Sequence, residues 1–379
     1  MGSGALAVCV GLAADAQRAS SLKDSQSIVP SQDRESSPPL ASVVIPARNE
    51  ASHIGKCIES LLAQRDLPAS IEIIVSDGMS ADDTRSIVEE YARKDSRVRL
   101  VDNPRRIVST GLNEAIRHAQ GEIILRVDAH TVVEEDYVAT CIDVLRRSGA
   151  DNVGGPWRAA PGGSPWSRAI AAAFQHPFAV GGARSHRVDY EGPVDSVYLG
   201  CWWRRVFDEV GLFDEELVRN QDDEFNLRLN RRGKTVWQSP GIRCWYAARN
   251  TLSSLWAQYF QYGFWKIRVM QKHRMPASIR HIVPLAFVCG LLVGPSLIFL
   301  HPLLGWVYVG ACALYLLVVL AASIHLALAK GLRLLPFLPV TFVVYHLAYG
   351  LGSLCGAAHF LVLRRGGAEA GQAWKRLTR

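Results

Sequence analysis

The clearest chemical signal in this sequence is a pair of potential metal ligands at the end of an apolar segment. Residues 122–127 run directly into Asp128, Ala129 and His130. A carboxylate and an imidazole are both metal ligands, and at positions i and i+2 after a strand they can converge on one ion. A divalent cation there would neutralise the charge of a diphosphate leaving group. Taken alone, the two residues would more simply be ordinary surface side chains.

Polar residues follow two earlier apolar segments in a similar way. Arg48 and Glu50 come after residues 42–46, and Asp77 comes after residues 71–76. Asp77 could accept hydrogen bonds from a nucleotide base. The alternative for both segments is that their polar residues only cap the helices that follow.

An acidic cluster at residues 221–224 begins a predicted helix that extends to about residue 232. Asp222 in this cluster could act as a general base that takes the proton from an acceptor hydroxyl. Two structural alternatives exist. Acids in the first turn stabilise the helix dipole, and the arginines that follow could form salt bridges with them.

A sheet is needed to bring these groups together. From residue 42 the sequence alternates between β-branched runs and amphipathic helical patterns. This alternation predicts a parallel sheet covered by helices on both faces. Ligands of such sheets bind beyond the carboxyl ends of the strands, where the polar groups lie. The predicted strands cover residues 42–46, 71–76, 98–101 and 122–127.

The C-terminal part of the chain is predicted to enter a membrane. Two apolar runs, residues 282–300 and 303–328, are each long enough to cross a hydrocarbon core of about 30 Å. A third run, residues 334–363, contains several prolines and glycines and is predicted either as a third span or as a re-entrant hairpin. A third span would place the basic tail, residues 364–379, outside the cell, against the positive-inside rule.

Two other segments lie outside the predicted sheet domain of residues 41–250. Residues 1–40 are rich in Ser, Asp, Gln and Pro and are predicted to be disordered. Residues 251–280 are rich in aromatic and basic residues, which predicts an amphipathic helix in the membrane interface. An ordinary core helix is the alternative. The membrane helices, about three, are predicted within residues 281–363.

Composition and motifs exclude several classes of protein. Hydrophobic residues make up 49% of the 379 residues and the net charge is +7. The cysteines form no CxxC pair, which argues against a zinc site or a disulfide framework. Neither G-x-G-x-x-G nor a P-loop follows a strand, and no nucleic-acid-binding motif is present. A transporter subunit would require charged residues inside the apolar runs, where only His is found.

Five segments together resemble the family 2 glycosyltransferases with the GT-A fold. In order they are SVVIPARNE, VSDGMSADDT, LRVDAHT, GCWWRRVFDEVGLFDEEL and QDDEFNLRL. The resemblance covers about residues 40–250. It is strongest to the ExoA-like enzymes of succinoglycan-type exopolysaccharide synthesis, which share the Asp-Ala-His motif and the C-terminal membrane helices.

The resemblance implies a role for each matching position. Asp128 and His130 match the metal-binding Asp-x-Asp motif and would hold Mn²⁺ or Mg²⁺. Asp222 matches the catalytic base of inverting members. The donor-binding positions are Pro46, Arg48, Glu50, Asp77, Asn113 and Asp128. His130 departs from the usual second Asp, and Gln221 departs from the usual Glu before the base. The Gln-x-x-Arg-Trp motif of processive synthases is absent, so the chain is not expected to make long polymers unaided.

The implied activity is an inverting transfer of a sugar from a nucleotide-sugar donor, expected to be a UDP-sugar, to a lipid-linked saccharide. Arg105 or Arg106 could help to stabilise the departing nucleoside diphosphate. The expected partners are the donor, the lipid-linked acceptor and membrane lipid, with no nucleic acid. The expected place is the cell (inner or plasma) membrane, with the catalytic domain in the cytoplasm. The alternatives are an inactive membrane scaffold or a regulatory nucleotide-binding subunit of a transporter.

Overall fold

The computed structural model describes residues 39–275 and 278–367. The predicted disordered tail therefore lies outside the described residues except for its last two positions. The same holds for the basic tail beyond residue 367.

The first half of the sheet domain repeats a strand–helix unit four times, and the sequence predicts its four strands and the first three helices. The first two strands are buried along nearly their whole length, which is typical of parallel strands covered on both faces. The elements are β1 (Ala41–Ala47), α1 (Ile54–Leu62), β2 (Ile71–Asp77), α2 (Thr84–Lys94), β3 (Val98–Asp102), α3 (Val108–His118), β4 (Ile123–Arg126) and α4 (Tyr137–Ser148).

The second half of the sheet domain contains shorter strands and longer connections. The helix predicted from residue 221 to about residue 232 is present, and a short strand follows it. The elements are β5 (Asn152–Gly155), β6 (Arg158–Ala160), α5 (Pro165–Phe174), α6 (Pro177–Val180), β7 (Gly192–Pro193), β8 (Tyr198–Trp203), α7 (Arg205–Val210), α8 (Gln221–Arg231), β9 (Val236–Gln238) and β10 (Trp245–Ala247).

Eight strands form one mixed sheet in the order β3-β2-β1-β4-β8-β5-β9-β7. Strands β3, β2, β1 and β4 are parallel, and β8 is antiparallel to both of its neighbours. The register pairs Ala47 with Asp77, so the two strands end together. Hydrophobic clusters cover both faces of the sheet. Strands β6 and β10 form a separate small sheet.

Four long helices complete the described chain: α9 (Leu252–His273), α10 (Val283–Leu300), α11 (Pro302–Lys330) and α12 (Leu338–Ala357). A π-helical turn, Ala358–Val362, extends α12 without a break. The last three helices are long and apolar enough to cross a membrane. The third apolar run is thus one continuous helix, and the alternative of a re-entrant hairpin within it is wrong. Its prolines lie at or before the first turn, where proline is tolerated.

Helices α9 and α12 pack side by side at glycines. A Cβ atom on Gly263 would collide with the carbonyl oxygen of Tyr349, and one on Gly352 would collide with that of Phe260. Small residues of this kind allow two helix backbones to approach closely. Helix α9 is therefore held between the sheet domain and α12. Its predicted position in a membrane interface stays a prediction.

Candidate active site

The loops after β1 and β2 are joined through Asp77. This residue ends β2 and is 1% exposed. Its carboxylate accepts a 2.5 Å hydrogen bond from the Ser80 hydroxyl, and the Ser80 oxygen in turn accepts one of 2.8 Å from the Asn49 backbone N–H. Asn49 has a positive φ of 53°, which Asn tolerates better than most residues. The bonds fix both loops at the carboxyl edge of the sheet.

Arg126 and Asp128 form an ion pair at the end of β4. Arg126 Nε and Nη2 lie 3.0 and 2.9 Å from Asp128 Oδ1, so both contacts end on one carboxylate oxygen. Burial alone would raise the pKa of Asp128, but the charges of Arg126 and His130 outweigh it and hold the pKa below its usual range. Asp128 is therefore a stable anion. Positions i and i+2 of a strand face the same side, which is the signal that could have revealed Arg126.

His130 lies beside Glu50 of the first loop. The His130 Nδ1 to Glu50 Oε1 distance is 3.7 Å. Contact with Glu50, and the nearby Asp128 carboxylate, raise the pKa of His130 against the opposing effect of burial. In the part of the chain that the structure describes, no three His, Cys, Asp or Glu side chains converge as metal ligands. Asp128 and His130, the two residues predicted to hold a cation, can therefore supply at most two metal ligands.

Two adjacent carboxylates at the start of α8 have opposite environments. Asp223 lies 2.5 Å from Nζ of Lys266, which comes from α9 and is 3% exposed. Burial would raise the pKa of Asp223, but Lys266 lowers it. For Asp222, burial and the Asp223 charge raise the pKa, and Arg126 only partly opposes them. A carboxylate with a raised pKa is a stronger base than an ordinary aspartate.

Two further arginines lie close to this group. Arg219 precedes α8, and its Nε donates a 3.0 Å hydrogen bond to Gln261 of α9. Burial lowers the pKa of Arg219, and its charge is one of those that hold down the pKa of Asp128. Arg249 follows β10, and its Nε donates a 3.2 Å bond to Gln258 of α9. Neither arginine was found from the sequence, because their positions depend on how α9 packs.

The remaining predicted donor residues lie near the first two loops. Pro46 lies in β1, and Arg48 lies on the exposed loop after it. A Cβ atom on Gly78 would be 3.1 Å from that of Arg48, so this arginine is next to the turn after Asp77.

Asn113 has a different environment. It is 1% exposed, and its side chain bonds to both the N–H and the carbonyl of Phe213 at 2.9 Å. It also donates a 2.9 Å bond to Glu215, which forms an ion pair with Arg105. Asn113 thus fixes the loop that leads into α8, and Arg105 forms its ion pair with the same loop.

Comparison with known proteins identifies the family. The Glycosyl transferase family 2 profile matches residues 42–207. The chain is 31% identical to the succinoglycan biosynthesis protein ExoA of Rhizobium meliloti (strain 1021), over 82% of this chain and 92% of that protein. This chain belongs to glycosyl transferase family 2. It is therefore a glycosyltransferase, as the sequence motifs predict.

One other relative and one solved structure extend the comparison. The chain is 27% identical to a dolichyl N-acetyl-alpha-D-glucosaminyl phosphate 3-beta-D-2,3-diacetamido-2,3-dideoxy-beta-D-glucuronosyltransferase of Methanococcus voltae, over 82% of this chain and 95% of that protein. The solved structure of the mannosyltransferase PcManGT from Pyrobaculum calidifontis, in complex with GDP-Man and Mn²⁺, matches with a TM-score of 0.54 at 19% identity. It covers 84% of this chain and 88% of that one, and the predicted GT-A fold is confirmed.

Proposed function

We propose that this glycosyltransferase moves a sugar, with inversion, from a nucleoside diphosphate sugar to a lipid-linked saccharide in the synthesis of exopolysaccharide or another cell-surface glycan. The observation that carries the proposal is a set of contacts that brings the ends of β1, β2 and β4 together at the carboxyl edge of the sheet. Asp77 is joined through Ser80 to Asn49, whose neighbour Glu50 lies 3.7 Å from His130. The Arg126–Asp128 ion pair precedes His130 on the same segment. The charge of Arg126 also acts on Asp222.

We place the donor at this edge, beside the carboxyl ends of β1, β2 and β4. Asp77, with Pro46 and Arg48 beside it, would contact the nucleoside. Its carboxylate is already held by Ser80, so it is oriented before the donor binds. Asn113 is assigned to the positioning of the loop before α8. The positive charges of Arg126, Arg219 and Arg249 would offset the negative charge of the diphosphate as it departs, and fixed charges of this kind are usually the largest catalytic contribution.

We assign to Asp222 the removal of the proton from the acceptor hydroxyl. As the glycosidic bond forms between the acceptor oxygen and the anomeric carbon, the bond from that carbon to the diphosphate oxygen breaks, and Asp222 takes the acceptor proton. Asp223 is not available for this role because Lys266 neutralises it. The raised pKa of Asp222 suits a base that must hold a proton during the reaction.

A divalent cation fits this site only together with the donor. A bound Mn²⁺ or Mg²⁺ would supply further charge stabilisation for the leaving diphosphate. Asp128 and His130 would hold it, and donor oxygens would have to supply the remaining ligands, because the protein offers so few. Both Arg126 contacts end on Oδ1, so Asp128 would hold a cation while keeping its ion pair with Arg126.

The acceptor and the cellular location are inferred from the relatives and the apolar helices. The names of two relatives refer to succinoglycan synthesis and to a dolichyl phosphate substrate. Three apolar helices follow the site, which suits an acceptor carried by a lipid. Nucleotide sugars are cytosolic, so we place the sheet domain on the cytoplasmic side of the cell membrane.

The test is a donor screen with purified enzyme and a lipid extract, in which released nucleoside diphosphate is measured. Release that needs both one donor and the lipid extract is the expected result, with Asp222→Asn as the inactive control. If no donor supports release above that of a reaction without enzyme, the chain is an inactive scaffold and the proposal is wrong.

A further inference from the structure

Both ends of helix α12 contact the sheet domain. At its beginning, the Phe337 ring packs edge-on against Trp166 of α5, with ring centroids 4.8 Å apart. Within its first half, the Tyr345 hydroxyl donates a 3.2 Å hydrogen bond to the carbonyl of Ile170 in α5, and His346 Nε2 bonds to the carbonyl of Phe178 in α6 at 2.8 Å. Beyond its end, the Gly367 N–H donates a 2.8 Å bond to Glu216. The helix therefore lies along the domain rather than leading away from it.

The middle and end of α12 are covered as well. Phe360 is 1% exposed and packs in a hydrophobic cluster with Leu217 and Val218 of the sheet domain. Its carbonyl accepts a 3.0 Å bond from Gln271 of α9. Helix α9 is itself tied to the domain, because Arg268 forms an ion pair with Glu216. Contacts with the sheet domain or with α9 thus extend from the beginning of α12 to its end.

This placement conflicts with a membrane span. A helix over residues 338–362 is about 37 Å long, more than the roughly 30 Å hydrocarbon core. If it crossed the bilayer, one of its two contact sites on the sheet domain would lie on the far side. Glu216, Arg268 and Lys272 form ion pairs at that end, and folded domains with such charges do not sit in lipid.

Exposure separates α12 from the two helices before it. In the most apolar 18-residue segment of α12, 44% of the residues are buried. The corresponding values for α10 and α11 are 11% and 17%. The exposed residues are Val340 near the beginning of α12 and Cys355, Ala358, Leu361 and Val362 near the end of the helix and its π-turn. All five lie on one side at helical spacing, and this side is called the exposed stripe. A single apolar stripe suits a helix that lies on a membrane surface.

We propose that the chain crosses the bilayer twice, through α10 and α11 only, and that α12 lies along the membrane on the side of the sheet domain with its exposed stripe against lipid. The C-terminal tail, which begins with Arg364 and Arg365, then lies on that side. If that side is the cytoplasm, the positive-inside rule is satisfied. The inference rests on contacts within the chain and does not depend on the proposed substrates.

The test uses single cysteines and a membrane-impermeant maleimide on sealed right-side-out membranes containing the full chain. Gly163 and Gly366 have open space around an added Cβ and lie in the sheet domain and beyond α12. His301 lies exposed between α10 and α11. The unsubstituted chain gives the background from native cysteines.

We expect His301→Cys to be labelled in sealed membranes, and Gly163→Cys and Gly366→Cys only after permeabilisation. The reverse pattern would keep the two crossings but reject the cytoplasmic placement of the sheet domain. Labelling of Gly366→Cys on the side opposite to Gly163→Cys would overturn the proposal.

A second measurement does not depend on labelling. In the double variant Glu216→Cys/Gly367→Cys, oxidation of native membranes should form a disulfide within the chain, with each single variant as control. If the double variant is folded, as judged by its yield in detergent, and no disulfide forms, the contact that carries the inference is absent.

Discussion

The two neighbouring aspartates at the start of α8 allow a matched test of the proposed base. Asp222→Asn and Asp223→Asn each replace one carboxylate by an amide of nearly the same shape. The two positions differ in their surroundings, because Asp223 faces Lys266 at 2.5 Å. Asp222 instead has a pKa raised by burial and by Asp223. Only the first substitution removes the group that can take the acceptor proton.

The expected magnitudes differ accordingly. Loss of a general base slows a reaction by about 10²–10⁴-fold, or about 2.7–5.4 kcal/mol in the barrier, so Asp222→Asn should lower kcat by that factor with donor binding nearly unchanged. Asp223→Asn keeps an oxygen that can accept from Lys266 but loses the charge. Weakening a bond to a buried ammonium costs on the order of 1–3 kcal/mol. That loss should appear in the free energy of unfolding rather than in kcat.

The pH dependence of the transfer rate distinguishes the role of Asp222 from that of Asp223. Asp222 must be ionised to act, so transfer rises as the pH increases through its pKa. The Asp223 charge helps to raise that pKa. Asp223→Asn should therefore lower it and move the acid limb of the rate profile to lower pH. Lys266 opposes the rise, so Lys266→Met should move the limb to higher pH.

The assay is release of nucleoside diphosphate from saturating donor at a series of pH values, with donor affinity measured separately for each variant. Activity of Asp222→Asn within about threefold of the wild type would refute the assignment of the base. An acid limb that moves the same way in Asp223→Asn and Lys266→Met would refute the electrostatic account.

Three other predictions concern the ion pair, the cation and the helix packing. Arg126→Met removes the partner that holds down the pKa of Asp128, so the free energy of unfolding should fall by about 1–3 kcal/mol at neutral pH. This loss should shrink as the pH falls and Asp128 becomes protonated, and chemical denaturation at several pH values checks it. Excess chelator should abolish transfer, and His130→Asp should shift the preferred cation from Mn²⁺ toward Mg²⁺; transfer rates that chelator leaves unchanged would remove the cation from the site. Gly352→Ala would place a methyl against the facing helix and should cost about 1–3 kcal/mol, whereas Gly310→Ala, which has open space, should be neutral or slightly stabilising. Thermal unfolding in detergent compares the two, and equal midpoints would contradict the close packing of α9 and α12.

Local sequence patterns were sufficient to predict the parallel half of the sheet and the residues at its edge. Asp77 ends β2 and Asp128 follows β4 as expected, because a buried strand and the polar residue after it are adjacent in sequence. The antiparallel strand β8 was not predicted. Its residues, Tyr198–Trp203, pair with β4 and β5, which lie 43 to 80 positions away in the chain. Pairing over that distance leaves little local signal.

Apart from Arg126, the site residues that were missed share a dependence on α9. Three side chains of this helix contact site residues. Lys266 contacts Asp223, Gln258 contacts Arg249, and Gln261 contacts Arg219. Their own periodicity indicates only a helix with aromatic and basic residues. Which face meets the sheet domain is decided by packing between segments, so the sequence left open whether the helix lies in a core or at a membrane.

The same contacts join the active site to the membrane part of the chain. Lys266 holds Asp223, the neighbour of the proposed base, while Gly263 on the same helix packs against α12. Because closely packed helices transmit a shift rather than absorb it, a change in the position of α12 on the lipid would move Lys266 relative to α8. If α12 lies on the membrane as proposed, the charge beside Asp222 would depend on how the chain lies there, and the basicity of that residue would be coupled to the bilayer where a lipid-linked acceptor would be found.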